Sequence, residues 1–374
     1  MRIAIVADWL TTIGGAEHVV RELLRIYPYA HLFTTVASGS PIQKFFDHPI
    51  ETTRLQSFYR LLHSHQLLLP LLPHAVENID LAPYDIIISS SHAIAKGIIP
   101  PSHAQHLTYC HTPMRYAWEM EEQYLDDFSI PNIGKPIARA MLKKIRRWDL
   151  TTAKRTDVFI ANSSITAERI QRIYNRKSVI IHPPVDEQFF AYDNQMQNIE
   201  RKIPYYLAVG RLVPYKRFDL LIHAANALNL HLKIVGEGRE EKRLRALAGP
   251  TVEFLGHIPD TDLPVLYAGA KALLFPPFED AGVVPLEAQA CGTPVIAYRK
   301  GGALDTIIDG QTGLFFQEQT IASLKDALHR FGQIQFDPSI IQHHARNFSA
   351  QKFREKIDHI VQSMHESRSS FAQR

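Results

Sequence analysis

Short apolar runs with little internal alternation recur along the whole chain, separated by segments of helical spacing, and this rhythm constrains the fold more than any other feature. A run that is apolar at every position is buried on both faces, as in a parallel sheet covered by helices. In the first half the predicted strands are residues 3–7, 32–35, 85–89, 107–110, 158–161 and 179–181. In the second half they are 206–209, 232–235, 252–255, 272–275, 295–297 and 313–315. The class expected is α/β, and 374 residues suit two cores better than one.

The division falls where Pro183-Pro184 is followed by a polar stretch with Asp193, Asn194, Gln195 and Gln197. We expect a first α/β domain over 1–185, a linker over 186–203 and a second α/β domain over 204–349. A last helix in 350–374, with Phe353, Ile357, Ile360 and Met364 at helical spacing, is free to cross back to the first domain. A hydrophobic fraction of 45% with 21% charged residues excludes a disordered chain, and a net charge of +3 gives no case for nucleic acid. Two cysteines, Cys110 and Cys291, make no disulfide framework. The opening apolar run is too short for a secretory segment, and the stretch 61–72 is broken by His63, His65, Gln66 and Pro70, well short of a membrane span. A cytoplasmic location is expected.

Ligands of open α/β sheets bind outside the carboxyl ends of the strands, so the strand-end loops carry the candidate chemistry. Arg211 and Lys216 follow the strand 206–209, and two cations there suit a diphosphate. After the strand 272–275 comes FEDAGVVPLE, residues 278–287. Pro285 suits a first helical turn, so Gly282, Val283 and Val284 bring backbone N–H groups to the strand end, and Glu279 and Glu287 flank them. Carboxylates beside an anion site accept sugar hydroxyls, several O–H donors at once. A capped helix with acidic neighbours would give part of this pattern but not the glycine, proline and paired carboxylates together. Gly236 and Gly238 form only a fragment of a dinucleotide fingerprint, and Gly292, Gly301 and Gly302 read as turn residues. In the first half, Gly14-Gly15 follows the first strand and opens a helix, and His111 stands at a strand end before Thr112-Pro113.

With these residues assembled, the chain resembles the family 4 glycosyltransferases of the GT-B fold, two Rossmann-like domains facing each other across a cleft. The resemblance rests on Gly14-Gly15, His111-Thr112-Pro113, Arg211 with Lys216, and Glu279 with Glu287 inside FEDAGVVPLEA, and it spans essentially the whole chain. It implies a retaining hexosyltransferase that needs no metal and no cofactor beyond its nucleotide-diphosphate sugar donor. It also implies that Glu279 contacts the donor sugar, Glu287 the ribose, Arg211 and Lys216 the diphosphate, and Gly282, Val283 and Val284 offer amides. His111, Gly14 and Gly15 would close over the donor from the other domain, and His111, Glu279, Arg211 and Lys216 form the catalytic set. The segment HTPMRYAW is most similar to mannosyltransferase-like members, which makes GDP-mannose the best single donor and a glycan or lipid-linked molecule the acceptor, in polysaccharide or glycolipid assembly. A UDP-sugar donor, an epimerase, a phosphorylase and a non-catalytic nucleotide-sugar-binding subunit are the alternatives.

Other signals yield plainer readings. Asp260-Thr261-Asp262 has a metal-binding spacing but precedes a helix, so Asp260 or Thr261 is expected to be its N-cap. Asp126-Asp127 reads as a turn, and His63 and His65 are too closely spaced for one helix face. Cys110 and His111 point to opposite faces of a strand, and Ser89-Ser90-Ser91-His92 lacks a nucleophile elbow. The helix expected over 135–155 carries eight cations against Asp149 alone, with Ile137, Met141, Ile145 and Trp148 at helical spacing. A core stripe with a solvated basic back is the plainer reading, and contact with an anionic membrane on the inner face of the plasma membrane is the alternative.

Overall fold

The computed structural model describes residues 1–119, 135–191 and 204–372. The chain divides into two compact units, Met1–Pro183 with Phe353–Arg374, and Pro184–Lys352. The first holds β1 (Ile3–Ala7), β2 (His31–Thr34), β3 (Ile50–Thr52), β4 (Ile86–Ser91), β5 (Gln105–Cys110), β6 (Val158–Ala161) and β7 (Ser178–Ile180). Every pairing is parallel and the order is β3-β2-β1-β4-β5-β6-β7. The second holds β8 (Tyr206–Val209), β9 (Leu232–Val235), β10 (Val252–Gly256), β11 (Leu273–Phe275), β12 (Val295–Tyr298) and β13 (Gly313–Phe316), parallel in the order β10-β9-β8-β11-β12-β13. Strand order reverses between β1 and β4 and again between β8 and β11. Such switch points open a crevice at the carboxyl ends of the strands.

The apolar runs are explained by two-sided burial. In β1, Ile3, Ile5 and Ala7 enter one core with Val19, Val20 and Leu23 of the helix Gly15–Ile26, while Ala4 and Val6 face Ile87, Leu72 and Val76 on the other side. The final helix, Ala350–Ala372, sends Phe353, Ile357, Val361 and Met364 into the first of these cores. Tyr27 also donates to its Asp358 at 2.9 Å, and Glu22 accepts from its Arg354 at 2.6 Å.

Three expectations change. The edge strand β3 was not predicted, because Ile50-Glu51-Thr52 offers one apolar residue and little burial. The segment 186–191, expected within a linker, belongs to the second unit: Phe189 is buried in its core, and Val185 beside it exchanges backbone hydrogen bonds with Phe348 and Ala350. The remaining linker residues 192–203 and the Asp126-Asp127 turn lie outside the described residues. The N-cap of the helix Leu263–Gly269 is Asp262, without a side-chain cap bond, and Thr261 Oγ1 instead donates to Asp262 at 3.2 Å.

The basic segment forms the helix Lys135–Thr152 and a turn Ala153–Arg155. Ile145 is buried, Met141 and Trp148 pack on the core, and Ile137 departs from the expected stripe at 75% exposure. Asp149, its one acid, is fully buried, where it pairs with Lys96 and accepts from Trp118 Nε1 at 2.7 Å and Tyr174 OH at 2.8 Å. Among the described residues no helix is long and apolar enough to cross a membrane.

Candidate functional site

In the second unit the switch point brings the loops after β8 and β11 together. Lys216 ends the short turn Pro214–Lys216, is almost wholly buried, and pairs with Glu279 from the loop after β11. That loop leads through Gly282, at φ 65° in the left-handed region that favours glycine, into the helix Val283–Ala290. The first-turn N–H groups of such a helix lack intrahelical partners, and Val283 and Val284 carry two of them. Glu287, one turn into the helix, accepts from Tyr267 OH at 2.8 Å. Burial pushes its carboxyl up to about 7; Asp260 adds to the rise, while Tyr267 and Lys216 oppose it. Arg211 is exposed at the end of β8 and makes no ion pair among the described residues. Lys216, Glu279, Glu287 and Gly282, Val283 and Val284 are thus gathered at one strand-end junction, with Arg211 beside Gly210 at its rim.

Two further glycines of this unit let its loops pack closely. A Cβ on Gly236 would stand 2.1 Å from the carbonyl oxygen of Gly210, so the loop after β9 can lie against the loop after β8 only with glycine there. A Cβ on Gly301 would stand 2.2 Å from the Glu279 carbonyl oxygen, and the neighbouring Gly302 N–H donates to that same oxygen at 2.9 Å.

The first unit has its own cluster at the β1/β4 switch point. Asp8, just beyond β1, is buried and accepts backbone N–H bonds from His92, Ala93, Ile94 and Ala95 at 2.6, 3.0, 2.6 and 2.5 Å. Its Oδ2 also meets His92 Nδ1 at 2.8 Å. Burial alone would raise the Asp8 carboxyl, but His92 and these amides outweigh it and hold it down at about 2. His111, beyond β5, bonds through Nε2 to Ser90 Oγ at 2.8 Å. Burial and then the charge of His92 push its ring down to about 3, so it is neutral near pH 7. Gly14 and Gly15 are exposed where the helix Gly15–Ile26 begins. Neither has a left-handed φ; a Cβ at Gly15 would meet nothing within 4 Å, and one at Gly14 only Glu17 Oε2 at 3.4 Å. Neither packing nor backbone conformation demands glycine at these two positions.

Each of the two parallel sheets thus carries charged and polar side chains at its switch point. Residues 13–189 match the family described as Glycosyltransferase Family 4, and residues 192–369 match Glycosyl transferases group 1. The chain belongs to the family 4 glycosyltransferases. A GDP-mannose-dependent alpha-(1-6)-phosphatidylinositol monomannoside mannosyltransferase of Mycolicibacterium smegmatis is 31% identical to this chain over 229 residues, 54% of the chain and 57% of the relative. A glycogen synthase of Pseudomonas syringae pv. tomato is 35% identical over 150 residues, 37% of the chain and 30% of the relative. The chain therefore spans about half or less of the length of these curated relatives. The crystal structure of Anabaena HepE in complex with UDP superposes with a TM-score of 0.69 at 18% identity, over 97% of this chain and 100% of that one. The family and the GT-B fold expected from the sequence are borne out.

Sequence reasoning passed over Asp8, Glu17 and Tyr267, and set Ser90 and His92 aside because Ser89-Ser90-Ser91-His92 lacks a nucleophile elbow. The strand-end rule that singled out His111 applies equally to Asp8 after β1 and His92 after β4, the two central strands, and would have found both. Tyr267 carried no such signal, since its bond to Glu287 joins two helices.

Proposed function

We propose that this chain is a retaining hexosyltransferase that uses a nucleotide-diphosphate sugar without a metal, and that the β8/β11 switch point takes the donor. The observation that carries this reading is the Lys216–Glu279 ion pair beside Gly282–Val284 and Glu287. An arriving diphosphate competes with Glu279 for Lys216, with Arg211 and the helix amides completing its neutralisation, and so frees Glu279 for hydroxyls of the donor sugar. Glu287 takes the ribose hydroxyls. In the first unit, His111 and the open backbone at Gly14 and Gly15 are read as sugar-contacting groups.

The chain supplies positioning and charge rather than a covalent nucleophile. As the bond from the anomeric carbon to the phosphate oxygen breaks, Lys216, Arg211 and the amides stabilise the negative charge that grows there, the kind of electrostatic contribution that usually dominates. The acceptor oxygen bonds to the same face of the anomeric carbon, and its proton passes to the departing phosphate oxygen.

For the donor we infer GDP-mannose, supported by the name of the Mycolicibacterium relative, with UDP-sugars as the alternative supported by the UDP-bound HepE structure. For the acceptor we infer a glycan or lipid-linked molecule reached at the cytoplasmic face of a membrane. Exposed Phe58, Leu61, Leu67 and Leu71, with Leu61 at 77%, support that contact, together with the cationic helix Lys135–Thr152. Thermal stabilisation by GDP, UDP, ADP and their sugars, with and without EDTA, tests the donor. A shift with one nucleotide class that EDTA leaves unchanged is expected, and no shift with any nucleotide overturns the donor site. Binding of nucleotide without turnover of its sugar would establish the non-catalytic alternative. Cosedimentation with anionic liposomes, lost on charge reversal at Lys143, Lys144 and Arg147, tests the membrane contact.

A further inference from the structure

His92 is held far more closely than a solvent-facing histidine needs to be. Its Nδ1 bonds to the buried Asp8 carboxylate at 2.8 Å, and its ring meets the edge of Trp9 at 4.7 Å between centroids. Trp9 is in turn stacked on His65 at 4.6 Å. The side chain nevertheless keeps 31% of its surface open, and its Nε2 makes no hydrogen bond among the described residues. Asp8 could terminate the loop after β4 through its four backbone amides alone, so the imidazole is an addition that loop structure does not require. A histidine anchored through Nδ1–H to a carboxylate has its tautomer set, and when neutral it presents an Nε2 lone pair of fixed direction.

On the transferase reading given above, we propose that His92 Nε2 accepts a hydrogen bond from the attacking hydroxyl of the acceptor, and that Asp8 is the positioning residue that aims it. His92 is then a catalytic residue by contact with the attacking oxygen, while the proton still leaves with the phosphate. The groups facing the ring are Asp8 just after β1, Glu17 from the helix Gly15–Ile26, His65 from the turn before Gln66–Leu68, and His111 just after β5. His65 and His111 are held neutral by burial, down at about 4 and 3. Burial alone would lower His92, but Asp8 and then Glu17 overcome it and raise the ring above its ordinary value. Protonation turns Nε2 from acceptor to donor, so transfer falls as pH drops through the His92 titration.

The test uses the full chain and the donor sugar identified by the nucleotide panel, with octyl glycosides of mannose, glucose and galactose as acceptor probes and water as the reference acceptor. His92→Ala, His92→Gln and Asp8→Asn are compared with the wild type. Losing one hydrogen bond of this kind lowers transfer about 10- to 100-fold. We expect that loss for His92→Ala with the nucleotide-induced thermal shift retained, and partial recovery in His92→Gln, whose amide reaches the place of Nε2. In Asp8→Asn the pH inflection should move to lower pH and the acceptor KM should rise. If no glycoside accepts, release of free sugar to water is the readout for the same comparisons. Transfer by His92→Ala at the wild-type rate, or an unmoved inflection in Asp8→Asn, overturns the proposal. So does a loss in all three variants that tracks lowered melting temperature and lost nucleotide binding. A wild type that no nucleotide stabilises marks failure of the transferase reading itself, and the proposal falls with it.

Discussion

Lys216 and Glu287 carry opposite electrostatic problems, and each can be probed alone. Lys216→Ala removes the buried cation that the proposed mechanism assigns to the leaving diphosphate; losses of about 10²–10³ in kcat are typical for such a group, and steady-state turnover with the fold checked by circular dichroism reads it. An effect within a few fold would remove Lys216 from the mechanism. Glu287 titrates near 7 in the folded chain against 4.5 for a free glutamate, so the folded state holds the extra proton between those values. Its contribution is therefore fully present below about 4.5 and lost as pH rises through about 7. Glu287→Gln abolishes that loss, and its melting temperature relative to wild type should be higher at pH 8 than at pH 5. Ribose hydroxyls favour the ionised carboxylate, so nucleotide binding near pH 6.5 should release a proton, visible as buffer-dependent enthalpy in calorimetry. Gly15→Ala separates stability from function. Where no atom obstructs the new Cβ, the change stabilises by about 0.4–1 kcal/mol while it narrows the backbone approach, and thermal melts beside donor KM read the two effects.

At the scale of elements, the site is held by loops and helices that fit only one way. Gly301→Ala would drive a Cβ into the Glu279 carbonyl and adopt an unfavourable φ of 70°, so the loop bearing Glu279 must shift. The expected result is a raised donor KM together with lowered stability. The helix Lys135–Thr152 is fastened by Asp149, and Asp149→Ala leaves Lys96 buried without its counter-charge, at a cost of about 3–5 kcal/mol measurable by urea unfolding. Much at this scale was legible beforehand. Strands 3–7, 158–161, 206–209 and 232–235 agree with the sequence to the residue, because β-branched runs buried on both faces resist any other reading. β3 was not legible, since an exposed three-residue edge strand is made by pairing with β2 rather than by its own pattern.

Across the whole molecule, the first unit is completed by the end of the chain. Phe353, Ile357, Val361 and Met364 fill the same core as Ile3, Ile5 and Tyr109, so Ile357→Ala should cost the first unit about 2–5 kcal/mol. Calorimetry would place the loss in one unfolding transition and leave that of the second unit in place. The sequence by itself determined the alternation of strands and helices, the faces the helices bury, the strand-end loops that hold Arg211, Lys216, Glu279 and His111, and the early helix that holds Glu287. These are local properties, written in spacings of two to four residues and in where glycine and proline fall. Only the tertiary structure decided that Lys216 meets Glu279, that Tyr267 meets Glu287, and that Asp8 clasps His92 from 84 residues away. The first depends on β8 lying beside β11, the last on β1 lying beside β4, and the Tyr267–Glu287 bond on the packing of the helices before and after β11. Strand order is set by the packing of whole layers, and no periodicity along the chain encodes it.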